Sequence, residues 1–229
     1  MNKIILQTLA LIASAGIVLA QNENGRTISF KTISPEFANS NYNLFFPLEP
    51  LPSDGSAYDG KWGNLRLNKF NTSHEQKAKI IKSLAFFSEA SEHSKKVGQV
   101  SVKPDTKDAI FFFIASPKSE KYKVYSVDST TVPQGSFYIM NTSPQKLYFD
   151  VGGVKKMIAP GKQASIKPPA GSNKVSIYES KNGKPKLKIH TKWYTDENLR
   201  EFIFYHGAPL KWNHILDNSV RAIKRTASN

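Results

Sequence analysis

An all-β protein built from two tandem β-sandwich domains is the fold that this sequence predicts. Short segments alternate apolar and polar residues, and Gly and Pro turn signals recur at the ~8–12-residue spacing of a sandwich. Aromatic residues make up 11% of the 229 residues, which is too many for a disordered chain. Cysteine is absent, which excludes disulfide scaffolds, thiolate metal sites and cysteine nucleophiles.

The first twenty residues have the composition of a secretory signal peptide. A short basic start precedes an apolar run from Ile4 to Ala20, and Val18 and Ala20 are small enough for signal peptidase. Cleavage would leave Gln21 at the new N-terminus. The alternative is an uncleaved anchor, because the run is close to the ~17-residue lower limit of a membrane span. We expect cleavage, a secreted or periplasmic protein, and no transmembrane segment in the mature chain.

The first domain is predicted over residues 25–128. Residues 27–32 alternate as a strand does, whereas residues 35–63 hold so many Pro and Gly residues that they predict a loop. Five large apolar residues in succession within 109–115 predict a strand that is covered on both faces. Residues 122–127 predict a further strand.

The segment 73–92 has two interpretations. Ile80, Leu84 and Phe87 fall at helical spacing, so the local pattern favours a helix. The run Leu84–Phe87 is also typical of a buried strand between polar flanks.

The second domain is predicted over residues 129–217, after turn-forming residues at 128–135. Gly152-Gly153 and Asn182-Gly183 predict tight hairpins, because these residues accept the positive φ that such turns need. Leu187 and Ile189 are expected on the core face of the strand that returns from the second hairpin. The other predicted strands are 137–140, 147–151, 154–158, 164–166, 175–179, 202–205 and 210–215, and residues 218–229 form a basic tail.

The second half also carries an ordered set of turn and core residues that resembles a known group. The set consists of Asp128-Ser129, Pro133-x-Gly135, Asn141, Gly152-Gly153, Pro160-Gly161, Trp193 and Arg200-x-Phe202. It is similar to uncharacterised secreted bacterial proteins with tandem immunoglobulin-like β-sandwich domains. The likeness covers residues 120–217 well and 25–119 loosely. It implies an immunoglobulin-like fold and a strand over Leu84–Phe87, and it carries over no catalytic or ligand-binding residue.

Positive charge is concentrated in the second half. Residues 130–229 hold 16 basic and 6 acidic side chains, whereas residues 21–129 hold 15 and 12. Alternation predicts that Lys184, Lys186, Lys188 and His190 share one strand face opposite Leu187 and Ile189. Such a face would attract an anionic polysaccharide or lipid surface; the alternative is a solvated face that protects a sheet edge. The candidate anion-binding residues are Lys181, Lys184, Lys186, Lys188, His190 and Lys192.

Catalytic and metal-binding motifs are not evident in the sequence. It lacks Gly-x-Ser-x-Gly and His-Glu-x-x-His, and we predict no cofactor and no metal. His206 and His214 flank a predicted hairpin turn, where they would make at most a minimal metal site. Glu201 is interpreted as a loop or helix-end charge. Trp193, Tyr194 and Trp212 would stack on sugar rings if exposed, but are expected in the core or at its rim.

These observations favour a non-catalytic binding or structural protein of the bacterial envelope. Its partner would be an anionic polysaccharide or lipid surface, or another envelope protein. Specific nucleic-acid binding is not expected, because lysine dominates over arginine and no recognition module is visible. The alternatives are a periplasmic chaperone-like assembly factor, which would cap a partner by β-strand addition, and a hydrolase with an unrecognised site.

Overall fold

The structure is a computed structural model that describes residues 25–35, 43–69, 72–116, 119–181, 183–207 and 210–216. Within these ranges it is all-β, as predicted, with a single short 3₁₀ helix at Ser129–Thr131. The predicted signal peptide and the basic tail at 218–229 lie outside the described residues. No helix in the described ranges has the length and apolarity that a membrane crossing requires.

Eight strands build the first half of the molecule. They form two four-stranded sheets, β4-β1-β7-β8 and β3-β2-β5-β6, whose facing sides share one apolar core. We call this pair of sheets the first sandwich. Its strands are β1 (Arg26–Ile33), β2 (Asn43–Pro47), β3 (Trp62–Arg66), β4 (Gln76–Ile80), β5 (Ser83–Phe87), β6 (Lys96–Ser101), β7 (Asp108–Ala115) and β8 (Tyr122–Asp128).

Eight further strands repeat this topology in the same order. The sheets β12-β9-β15-β16 and β11-β10-β13-β14 share a second core, and we call them the second sandwich. In both sandwiches the first strand pairs in parallel with the seventh. The strands are β9 (Ser136–Asn141), β10 (Leu147–Val151), β11 (Val154–Ile158), β12 (Lys162–Ile166), β13 (Gly171–Lys181), β14 (Lys184–Thr195), β15 (Arg200–His206) and β16 (Lys211–Leu216).

The two sandwiches meet along a third apolar cluster, which we call the seam. Phe111 and Phe113 of β7 point into the first core, whereas Ile110 and Phe112 point into the seam. Phe112 packs there against Phe204 of β15, with ring centroids 4.5 Å apart. The apolar run in β7 is therefore covered on both faces, as predicted.

Two segments of the first half differ from the local sequence pattern. Residues 73–92 contain β4 and β5 rather than a helix, and Leu84–Phe87 lies within β5, as the resemblance implied. The predicted loop 35–63 contains β2, in which Leu44 and Phe46 are core residues. The burial of these two side chains outweighs the Pro and Gly residues that surround the strand.

Candidate binding surface on the second sandwich

The predicted basic strand face lies on β14, where a β-bulge interrupts it. Ile189 pairs with Ile177 and Leu187 pairs with Tyr178, so Lys188 is the extra residue between them. An extra residue reverses the alternation of side chains along a strand. Ile189 consequently packs against the core, whereas Leu187 is 49% exposed. The prediction that both residues share the core face is wrong for Leu187.

The bulge also divides the candidate anion-binding residues between two faces. His190 and Lys192 pair with Ser176 and Lys174 on the outer face of the sheet. Lys186 pairs with Glu179, which has the parity of the core residue Ile177 and therefore lies on the inner face. The single ridge predicted for Lys184, Lys186, Lys188 and His190 is therefore wrong in its geometry.

The six candidates differ in what they contact. Lys184, Lys186 and Lys192 are exposed, and the Oγ of Ser176 lies 3.0 Å from Nδ1 of His190. Lys188 makes a 2.7 Å ion pair with Glu179, which offsets its charge. Lys181 ends β13 opposite Lys184, and its side chain lies outside the description. Their role in anion binding stays a prediction.

The outer face of this sheet carries a row of apolar side chains that crosses all four strands. Tyr148 of β10 pairs with Met157 of β11 and with Tyr178 of β13, and Tyr178 pairs with Leu187 of β14. Met157 is 54% exposed. We call Met157, Tyr148, Tyr178 and Leu187 the apolar row. A depression of about 390 Å³ lies over Met157, Tyr148 and Tyr178, and Lys155, Lys156 and Pro185 contribute to its walls.

Charged residues flank the apolar row along the sheet. The adjacent row consists of Lys155, Asp150, Ser176 and His190, and Lys174 pairs with Lys192 beyond it. Like charges directly opposite each other on a sheet are destabilising. The Lys174–Lys192 pair is thus a feature that the fold itself does not need.

The corresponding outer face of the first sandwich is partly covered, and a depression of about 570 Å³ lies beside the covering segment. There the connection from β2 to β3, residues 48–61, returns over the sheet, and Tyr58 packs edge-on against Trp62. Trp62 in turn packs against Phe87, at 5.3 Å between centroids, and Phe87 is buried. In the second sandwich the equivalent connection is only Gly152-Gly153, with φ of 56° and 86°, so it leaves the face open.

Metal binding finds no support among the predicted histidines. His206 pairs with Lys211 and His214 pairs with Ile203, so the two histidines do not face each other across the hairpin. In the described part of the chain, no three His, Asp or Glu side chains cluster closely enough to hold a metal ion.

Glu201 is not the loop or helix-end charge that its sequence position suggested. It belongs to β15, is buried, and contacts His214 through its Oε2 atom. A usable signal was present in the sequence, because Glu201, Ile203 and Tyr205 have the parity of one strand face. A carboxylate on the core side of an apolar strand requires a partner.

Comparison of the chain with protein-family models and with curated protein sequences finds no match. The function must therefore be argued from the residues themselves.

Proposed function

We propose that this protein is an exported, non-catalytic binding protein of the bacterial envelope that docks onto an anionic lipid surface. Export is supported by the signal-like residues 1–20. An immunoglobulin-like character of the two sandwiches is supported by the resemblance of residues 120–217. The docking surface is the outer face of β11-β10-β13-β14.

The observation that carries the proposal is the exposed apolar row with lysines around it. Soluble proteins seldom expose contiguous apolar side chains, and such patches mark interaction sites. Met157 and Leu187 stand at the two ends of the row, on the edge strands β11 and β14. Lys155 and Lys156 directly precede Met157 on β11, are exposed, and line the depression over the row.

A lipid surface suits this arrangement better than a soluble polyanion. A polysaccharide or nucleic acid would use the lysines but would leave the apolar row in water. An anionic bilayer offers headgroups to the lysines and an apolar layer to Met157, Leu187 and the two tyrosine rings.

Binding to vesicles tests the proposal. The full mature chain is sedimented with vesicles of phosphatidylcholine alone or of phosphatidylcholine with phosphatidylglycerol, at low and at physiological salt. Lys155→Glu with Lys156→Glu should weaken binding to the anionic vesicles by at least about thirtyfold, since each lysine near such a surface is worth ~1 kcal/mol. The matched control is Lys77→Glu with Lys103→Glu, which makes the same charge change at exposed positions of the first sandwich.

The apolar contribution is tested separately with Met157→Ser combined with Leu187→Ser. We expect this double variant to lose most vesicle binding and to retain binding to dextran sulfate, which has no apolar layer. Wild-type vesicle binding by this variant would overturn the lipid assignment in favour of a soluble polyanion. An equal loss in the Lys77 and Lys103 control would mean that net charge alone acts.

A further inference from the structure

The second sandwich is open along one flank, between the edge strands β14 and β16, which belong to opposite sheets. A cleft of about 510 Å³ lies there, and we call it the flank cleft. Its size falls within the ~300–1,000 Å³ range of small-molecule sites. Its lining includes Trp193, Tyr194, Asp196, Glu201, Trp212 and His214.

The first sandwich closes the same flank, where Gly98 faces Val124 and the buried Tyr122. Its strands β6 and β8 approach so closely that a Cβ atom on Gly98 would lie 3.0 Å from Cγ2 of Val124. Val124 pairs with Phe113 in the first sandwich, as Trp212 pairs with Tyr205 in the second. A bulky aromatic residue thus stands where the repeated topology accepts valine.

The buried acid of the cleft is also specific to the second sandwich. Glu201 pairs with Phe137 near the start of the parallel ladder, and Ala109 pairs with Phe30 at the matching place in the first sandwich. A buried carboxylate costs stability unless it is paired, and Glu201 is paired with His214. The second sandwich thus carries a carboxylate–imidazole pair in the cleft lining where the first sandwich has an alanine.

Aromatic rings form a continuous wall in the cleft. The centroid of Trp193 lies 6.5 Å from that of Trp212 and 6.3 Å from that of His214. Trp212 is 42% exposed and Tyr194 is 71% exposed. Trp193 is thus a core residue and Trp212 a rim residue, within the expectation of core or rim positions, whereas Tyr194 is mostly exposed.

Polar groups in the cleft suit a ligand that bears hydroxyl groups. Nε1 of Trp193 is buried without a hydrogen-bond partner in the described part of the structure, while the residue itself belongs to the cleft lining. The carboxylates of Glu201 and Asp196 accept hydrogen bonds. One lysine, Lys192, and His214 line the cleft together with these two acids, so the lining lacks the strong positive charge of the rest of the half.

We propose that the flank cleft binds a neutral carbohydrate. Its aromatic rings would stack on the apolar faces of sugar rings, while Glu201 and Asp196 accept hydrogen bonds from sugar hydroxyls. The balanced charge disfavours a polyanion, which the lysine-rich outer face would attract instead. This site and its ligand are independent of the proposed lipid surface.

Intrinsic fluorescence and titration calorimetry test the cleft with maltohexaose, cellohexaose and chitohexaose as probes. Trp193 and Trp212 lie in the cleft and Trp62 lies in the first sandwich, so tryptophan emission reports on it directly. We expect at least one probe to bind with a Kd of about 1 mM or tighter, with no change between low and physiological salt.

Single substitutions test whether the oligosaccharide probes bind in the flank cleft. Trp212→Ala and Tyr194→Ala, both at exposed side chains, should each weaken binding about tenfold, the scale of one stacking contact. Trp62→Phe is the matched control and should bind as the wild type does. If none of the three probes binds, or if Trp212→Ala binds unchanged, the carbohydrate assignment is overturned.

Sedimentation velocity of the same variants tests the alternative that a second copy of this chain occupies the cleft. A dimer that dissociates in Trp212→Ala would assign the cleft to a β-strand of a second copy of this chain and would likewise overturn the proposal. The vesicle experiment uses other residues and depends on salt. Neither result at the flank cleft therefore decides the lipid proposal.

Discussion

The two sandwiches have one topology and different surfaces. In the first, the segment 48–61 covers part of the outer face and Gly98 closes the flank against Val124. In the second, a Gly-Gly turn leaves the apolar row exposed, and Trp212 borders an open cleft. The candidate binding sites therefore lie where the second sandwich departs from the first in loop length and in side-chain size.

The largest effect is expected at the seam, where the two copies depend on each other. Phe112 is fully buried between Tyr138, Phe202 and Phe204, so Phe112→Ala removes packing from both sandwiches. We expect a loss of about 3–5 kcal/mol in the free energy of unfolding. We expect calorimetry to show one unfolding transition for the wild type and two for Phe112→Ala.

Met157→Ala is the control, because it removes an exposed side chain of the second sandwich. A single transition in Phe112→Ala, with a stability loss no larger than that of Met157→Ala, would contradict the view that the seam couples the two sandwiches.

A smaller effect is expected on the pH dependence of stability, from two buried tyrosines on strands of the second sandwich. Burial raises the pKa of Tyr138 and of Tyr205 above the usual tyrosine value of 10.0. Below that pH both folded and unfolded chains keep these hydroxyls protonated. Above it the unfolded chain releases its protons first, so stability should fall as the pH rises further.

Tyr138→Phe and Tyr205→Phe should remove part of this alkaline destabilisation. Both hydroxyls are buried without a hydrogen-bond partner among the described residues, so at neutral pH each change should be neutral or stabilising by about 1 kcal/mol. Denaturant unfolding at neutral and at alkaline pH measures both effects, with the exposed Tyr194→Phe as control. Identical alkaline losses in all variants would assign the pH dependence elsewhere.

The sequence was informative wherever a local pattern and the core agreed. The Gly152-Gly153 hairpin and the doubly covered strand β7 follow directly from the residues that form them. The strand β2 could not be predicted, because the burial of Phe46 depends on Phe30 and Phe86, which are distant in sequence.

The candidate surfaces were harder to predict than the strands. One bulge residue, Lys188, turned Leu187 outward, and strand alternation alone does not predict a bulge. The repeat itself is hidden because corresponding positions hold different residue types, such as Ala109 and Glu201, or Val124 and Trp212. Only the sheet topology makes these pairs comparable.

The most direct test of the difference between the two sandwiches is amide hydrogen exchange of the full mature chain with and without phosphatidylglycerol-containing vesicles. We predict protection on binding within residues 147–158 and 174–192, around the apolar row, and no change in residues 43–101 of the first sandwich. Protection of the first sandwich, or equal protection of both, would contradict the claim that binding belongs to the uncovered copy.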